Sequence, residues 1–306
     1  MSNILLDLID LDQKKTGYRQ FLSCWAFSGP DVSFIVDPGP SSSTGYLLDM
    51  LGNTNFSRLD FILLTHIHLD HAGGLAAVLE KYPDAKVFCH KSGIKHLVDP
   101  SRLWQGSLKV LGDVGHMYGE PLPVPESAFT DEKELEKRGI SVIETPGHAP
   151  HHVCFVTNDI LFAGEAIGTH LDLPSGKPYL RPATPPRFIL EEALSSLDRL
   201  LALDKEPAHC AFAHYGMSTD TFEWLRRAKK QLVLWVDTIR DLYAESEDNL
   251  EQRLFDRLME VDPLYGQGRY DELPDDLRKR ERHFLANSLD GMLGYIKSSE
   301  TPRDKL

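Results

Sequence analysis

Thr65-His66-Ile67-His68-Leu69-Asp70-His71-Ala72-Gly73-Gly74 puts three histidines and an aspartate into six consecutive positions. The run before it, 59–65 (LDFILLT), is apolar and of strand length, and 72–82 after it reads as a helix stopped by Pro83. The polar cluster therefore sits where a buried strand hands over to a helix. His66 and His68 are two apart at an extended strand end, so they can point the same way. Asp70 and His71, past the turn, can face a second point nearby. Gly73-Gly74 permits close backbone approach as the helix begins. Imidazole and carboxylate are the ligands that zinc and related divalent ions take.

Outward from this stretch, short apolar runs alternate with turns and helical segments as far as about residue 216. Strands are predicted at 33–36, 59–65, 85–90, 140–145, 152–157, 159–163 and 209–213, with a helix over 188–203. Strands interleaved with helices predict an α/β layered domain. Beyond Gly216 the text becomes helical: 219–244, 250–261 and 275–296 repeat apolar residues at helical period, separated at 263–274 by a loop. The division predicted is 1–216 for the layered domain and 217–306 for a helical extension. Mixed charge on those helices marks their outer faces as solvated. Their inner faces either cover the main domain or pair with a second copy of the chain.

The chain has 306 residues and a formal net charge of −13. Nucleic-acid binding needs a lysine- and arginine-rich face, and no such cluster stands out in the first 216 residues, so neither a nucleic-acid partner nor an anionic membrane surface is expected. No run of 18 apolar residues exists, and MSNILLDLIDLD carries acidic residues where a signal peptide needs basic ones. Cys24, Cys89, Cys154 and Cys210 lie far apart with no CxxC. That pattern suits buried, reduced thiols in a cytoplasmic protein.

In this context the motif resembles the metallo-β-lactamase superfamily, and further phrases of the chain match that family in order. His148 follows a strand and Pro146-Gly147, Glu165 ends Leu161-Phe162-Ala163-Gly164-Glu165, and His214 stands in Ala213-His214-Tyr215-Gly216. The resemblance implies an αββα sandwich with a metal site at one sheet edge, here followed by a C-terminal helical extension. It implies two divalent metal ions, with Zn²⁺ first and Fe or Mn as alternatives. His66, His68 and His148 would hold one ion, Asp70, His71 and His214 the other, and Glu165 would touch both. The family usually carries Asp at the position of Glu165; the longer side chain can bridge differently or bind one metal only. Asp37 matches a strand-end aspartate of the family, whose expected task is to orient the ligand loop by hydrogen bonding.

The activity implied is hydrolysis of a small ester, thioester or lactone by a metal-bridging hydroxide. Asp70 would orient the hydroxide or pass a proton, and Tyr215 would donate to the oxyanion. His116 and Tyr118, in a Gly-rich loop at 112–119, together with His151, His170 and Tyr215, are the substrate-contact candidates. Arg181 or Arg187 would meet an anionic group. Members with a helical segment after the last histidine, the quorum-signalling thioesterase-like proteins, share this layout, and there the helices lie over the pocket. The alternatives within the fold are an iron-dependent redox enzyme and a regulatory protein that keeps the metal site. The partner expected is a small-molecule substrate.

Overall fold

Large apolar residues alternate along three neighbouring segments: Trp25 and Phe27, Phe34 and Val36, Phe61 and Leu63. In a strand, alternate positions share a face, so these six side chains build one side of a sheet. The computed structural model describes residues 4–300 apart from 14, 54, 55 and 57. In it, β1 (Leu5–Asp10), β2 (Ser23–Ser28), β3 (Ser33–Val36), β4 (Phe61–Leu63) and β5 (Lys86–Phe88) form that sheet in chain order. The pairing is antiparallel from β1 to β3 and parallel from β3 to β5. A second sheet uses β6 (Ser141–Glu144), β7 (Val153–Thr157) and β8 (Ile160–Phe162). The chain then makes the hairpin β9 (Thr169–Asp172) and β10 (Pro178–Arg181), and returns to the second sheet as β11 (His209–Ala211) and β12 (Met217–Ser218). The order there is β12-β11-β8-β7-β6, with β11 parallel to β8.

The two sheets meet through aromatic side chains. Phe162 stands edge-on to Trp25 and Phe34, with ring centroids 6.5 and 5.7 Å apart, and Phe88 stands edge-on to Phe155 at 5.9 Å. Trp25 carries a polar handle, and its Nε1–H donates to the Phe212 carbonyl at 2.8 Å, as a buried indole should. The alternate positions Cys24, Ala26, Ile35, Ile62 and Val87 are buried as well, the pattern of a sheet covered on both faces. Truncating Phe34 to Ala in such a core costs about 3–5 kcal/mol. This is the α/β sandwich of the predicted class, with helices over 221–300 following it. Among the described residues no helix is long and apolar enough to cross a membrane.

The chain forms two compact units. The first is Met1–Glu144, His151–Gly164 and Pro207–Thr219; the second is Thr145–Pro150, Glu165–Glu206 and Asp220–Leu306. Both five-stranded sheets belong to the first. The second is organised on the helix Thr221–Glu245, whose stripe of Trp224, Leu225, Ala228, Leu232, Trp235, Val236 and Ile239 is buried. It packs against the helices Leu190–Leu201, Leu250–Val261 and Asp275–Glu300. The units therefore do not divide at residue 216. The change of texture there marks where helices become continuous, whereas the hairpin β9–β10 and the helix Leu190–Leu201 pack with the later helices. The ends of the predicted division, 1–3 and 301–306, lie outside the described residues.

Several local readings are corrected. The helix predicted over 72–82 is two helices, Leu69–Ala72 and Leu75–Lys81, and the first begins inside the histidine motif. A Cβ on Gly73 would lie 2.5 Å from the Leu69 carbonyl oxygen and 2.9 Å from the Ser41 nitrogen, so the chain passes there only as glycine. The loop read at 112–119 holds a helix, Asp113–Tyr118, framed by Gly112 and Gly119, both at positive φ. The loop at 263–274 contains the short helix Arg269–Glu272. Strands β1, β9, β10 and β12 went unread because their apolar runs are short or interrupted by polar residues, and β2 because its apolar run spans only 24–27.

Candidate metal centre

Strand β4 ends at Leu63, and the next residues are fixed from the side by Asp37. Asp37 stands at φ +55 just beyond β3, a backbone conformation that Asp tolerates better than most residues. Its Oδ1 accepts the Thr65 backbone N–H at 2.8 Å. Its Oδ2 accepts the Thr65 hydroxyl at 2.7 Å and lies 3.1 Å from His71 Nδ1. One buried carboxylate thus fastens both ends of the motif, which is the orienting task expected of it.

These contacts fix tautomers. A carboxylate oxygen only accepts, so His71 Nδ1 carries the hydrogen. The Thr65 hydroxyl gives its single hydrogen to Asp37, so its contact with His66 Nδ1, at 3.1 Å, makes that nitrogen the donor too. His214 Nδ1 lies 2.9 Å from the Phe21 carbonyl oxygen and is a donor for the same reason. In each neutral ring the lone pair is then on Nε2. His71 Nε2 lies 3.7 Å and His214 Nε2 4.0 Å from Asp70 Oδ2. Nitrogen lone pairs and a carboxylate converge, and the ligand atoms of Asp70, His71 and His214 all lie within 4.8 Å of one another. Acceptors facing acceptors require positive charge among them, and this donor set is that of a divalent metal ion.

The surrounding rings are in the same unit. His66 and His68 have ring centroids 4.5 Å apart, and His66 and His71 4.1 Å. His151 lies 6.3 and 6.0 Å from His66 and His68. His152 is buried 5.4 Å from His66. Gly164, at φ +55, passes so close that a Cβ there would meet His152 Nε2 at 2.3 Å. Tyr215, partly buried beside His214, is held at φ +66. A left-handed tyrosine is strained, a feature concentrated at functional sites.

In the second unit His148 and Glu165 form a pair of the same kind. His148 Nδ1 lies 3.0 Å from the Ala183 carbonyl oxygen, and His148 Nε2 lies 2.9 Å from Glu165 Oε2. The carbonyl makes Nδ1 the donor and turns Nε2 onto the carboxylate at hydrogen-bonding distance, where either a proton or a metal ion can join the two. Both residues line a cavity with Pro182, Ala183 and Thr184.

The other candidates sit elsewhere. His116 is exposed with its ring edge-on to Trp104 at 5.9 Å, while Tyr118 is buried. His170 is buried on β9, packed edge-on against Trp224 at 5.2 Å. Arg181, a candidate for an anionic substrate group, is instead buried with its Nε 2.7 Å from Glu281 Oε2. Burial disfavours an unpaired guanidinium, and a carboxylate 100 residues along the chain meets it. All four cysteines are buried, and burial pushes the Cys89 thiol up to about 12, so these are structural thiols. The carbonyls of Phe21 and Ala183, which orient His214 and His148, have no signature in sequence, because every residue carries a carbonyl.

A family model described as the metallo-beta-lactamase superfamily matches residues 18–211. A metallo-beta-lactamase fold-containing protein of Sulfurisphaera tokodaii is 30% identical over 211 residues, covering 65% of this chain and 75% of that protein. A hydroxyacylglutathione hydrolase of Aeromonas salmonicida is 27% identical over 237 residues, 76% of this chain and 77% of that enzyme. Among solved structures, an archaeal metallo-beta-lactamase superfamily protein from Sulfolobus tokodaii superposes with a TM-score of 0.66. It is 22% identical and covers 96% of this chain and 99% of its own.

Proposed function

The chain belongs to the metallo-β-lactamase superfamily, and from that premise we propose that it is a binuclear metal-dependent hydrolase of small esters, thioesters or lactones. The carrying observation is the convergence of imidazole Nε2 atoms on carboxylate oxygens, at Asp70 and at Glu165, with every Nδ1 turned away onto an acceptor. We assign His66, His68 and His148 to one ion, Asp70, His71 and His214 to the other, and Glu165 to both, with zinc the first metal to test.

The chemistry supplied by divalent ions held there is a water acidic enough to ionise near neutral pH and polarisation of the scissile carbonyl. The protein's own groups do the rest. Asp70, 17% exposed, reaches toward two imidazoles and still touches solvent, which suits it to take a proton from the attacking water and return one to the leaving group. We assign to Tyr215, which follows His214 in the chain at φ +66, the donation of its phenol hydrogen to the oxyanion. His151 borders the reacting groups from the side of His66 and His68. The relative named as a hydroxyacylglutathione hydrolase supports the thioester arm of this reading, since that name denotes thioester hydrolysis. The buried thiols fit a reducing, cytoplasmic setting, and the partner we propose is a small-molecule substrate.

Protein purified without added metal and analysed for bound metals should hold zinc near two equivalents. It should cleave members of an ester, thioester and lactone panel. Iron with a visible absorption band, or no turnover of any panel member with Zn, Mn or Fe supplied, would sink the proposal.

A further inference from the structure

Within the second unit, β10 runs into a strap, 182–185, without regular structure. Pro182 and Pro185 cannot donate to a ladder, and each pushes the residue before it out of the helical region. The carbonyls of the strap must therefore find donors elsewhere. The helix Asp275–Glu300 lies along it. Glu281, Phe284, Ser288 and Gly291 are spaced by three, four and three, which puts them on one helix face. They meet successive residues from Arg181 onward. Glu281 Oε2 accepts the Arg181 Nε–H at 2.7 Å, and the guanidinium lies 5.1 Å from the Phe284 ring centroid. The Ser288 hydroxyl donates to the Pro182 carbonyl at 3.0 Å, and the Ser288 carbonyl accepts the Thr184 hydroxyl at 3.2 Å. A Cβ on Gly291 would lie 2.5 Å from the Thr184 carbonyl oxygen and 2.6 Å from that of Pro185, so helix and strap touch backbone to backbone. Ser288 and Thr184 are buried, and water does not readily replace a lost partner there. Ala183 is the residue bracketed by the two Ser288 bonds, and its carbonyl is the one that His148 Nδ1 meets at 3.0 Å.

The backbone that carries His148 is held separately, by the helix Leu190–Leu201. Ser196 Oγ donates to the Pro146 carbonyl at 2.6 Å and accepts from Arg199 Nη2 at 3.1 Å. A Cβ on Gly147 would lie 2.9 Å from the Ala193 Cα. With the backbone fixed, the imidazole keeps only its side-chain torsions, and the Ala183 carbonyl sets them. We propose that Ser288 and Gly291 are positioning residues for His148. Through the Ala183 carbonyl, the C-terminal helix keeps the ring turned with Nε2 to Glu165 and so sets the affinity for the ion assigned to His148. The proposal rests on the binuclear reading above.

The test uses the full chain, zinc as the probe, and the Hδ1 proton of His148 followed by NMR. In the metal-free wild type that proton, bonded to the Ala183 carbonyl, should exchange slowly with water. Ser288→Ala removes a donor from the Pro182 carbonyl, and Gly291→Ala drives the strap off the helix. Each should speed Hδ1 exchange about tenfold and weaken one of two zinc equivalents about 10–100-fold in chelator competition, the range for altering an outer partner of a metal ligand. The other equivalent, followed by the ring ¹⁵N shifts of His71 and His214, should bind as in the wild type. Ile296→Ala is the control for loss of helix stability. Ile296 is buried about two turns further along the same helix, so its truncation loosens the helix but should leave Hδ1 exchange and both zinc affinities unchanged. Hδ1 exchange that is fast in the wild type, unchanged in Ser288→Ala and Gly291→Ala, or equally fast in Ile296→Ala would overturn the proposal. So would two zinc equivalents bound as tightly in both strap variants as in the wild type. A wild type that binds no zinc would instead count against the binuclear reading, and Hδ1 exchange would still decide whether the helix orients His148.

Discussion

Two buried polar clusters match their side chains oppositely. Around Glu281 and Asp262, in the second unit, acceptors meet donors. Glu281 Oε2 accepts Arg181 Nε–H at 2.7 Å and the Tyr179 hydroxyl at 3.0 Å, and Oε1 accepts Arg280 Nε–H at 2.8 Å. Asp262 is satisfied likewise, by the Trp235 indole at 2.6 Å, the Gln231 amide at 2.8 Å and two backbone N–H groups. In the first unit His71 and His214 turn acceptor nitrogens toward the acceptor Asp70. A polar cluster closed on itself is scaffolding, whereas one whose members share the same hydrogen-bonding sense is incomplete without a cation. Burial alone does not separate the two, since Glu281 and His66 are both fully buried.

The sharpest way to break this contrast is to remove the acceptor that draws the imidazoles together. Asp70→Ala should lower kcat/KM roughly 10⁴-fold and lose about one metal equivalent, while hydrogen exchange in the helix Asp275–Glu300 stays as in the wild type. Full activity with two metals retained would show that Asp70 is an ordinary surface-turn carboxylate. The counterpart in the second unit is Glu281→Gln. It leaves two buried guanidiniums without a carboxylate, which costs about 3–5 kcal/mol. Exchange protection of the helix Asp275–Glu300 should fall by that amount, with metal bound by Asp70, His71 and His214 unaffected. Unchanged protection would mean that the arginines find other acceptors.

The same carboxylate gives a pH dependence. Burial works to raise the pKa of Glu281, but the adjacent Arg181 and Arg280 outweigh it and hold the group down to about 2, against an ordinary 4.5. A carboxyl lowered on folding stabilises the native state above its unfolded pKa, and that contribution disappears as pH falls through the folded value. The second unit should therefore lose about 3 kcal/mol between roughly pH 4.5 and 2. Urea midpoints followed by exchange at pH 5 and 2.5 would measure it. Glu281→Gln should flatten that part of the profile, and an equally steep loss in the variant would assign the effect to other groups.

The histidine motif was legible because its six positions concentrate ligand chemistry at a strand end, and Asp37 because it matches a strand-end aspartate of the family that the motif resembles. The layered fold followed from alternating strand and helix texture. What stayed hidden depends on distant parts of the chain. Arg181 read as an anion receptor because its partner lies at Glu281. His116 read as a loop residue because Gly112 and Gly119 punctuate a helix as readily as a loop. The second unit takes in 145–150 and 165–206, and only packing against the helix Thr221–Glu245 reveals that.

The subtlest test of the contrast leaves every candidate ligand in place and changes only a hydrogen. In Asp37→Asn the remaining carbonyl oxygen can still accept the Thr65 backbone N–H, which puts the amide NH₂ where Oδ2 now meets the Thr65 hydroxyl and His71 Nδ1. A donor would then face the hydrogen on His71 Nδ1. The ring relieves this by moving its proton to Nε2, which removes the lone pair from the side of Asp70. Altering such an outer hydrogen-bond partner typically costs 10–100-fold in metal affinity, or about 1.4–2.7 kcal/mol. Chelator competition should show that loss for one of the two ions. The ¹⁵N shift of His71 in the metal-free protein should report a protonated Nε2 in the variant and a protonated Nδ1 in the wild type. A variant that binds both ions as tightly as the wild type, with Nδ1 still protonated, would show that the tautomer of His71 is set by something other than Asp37.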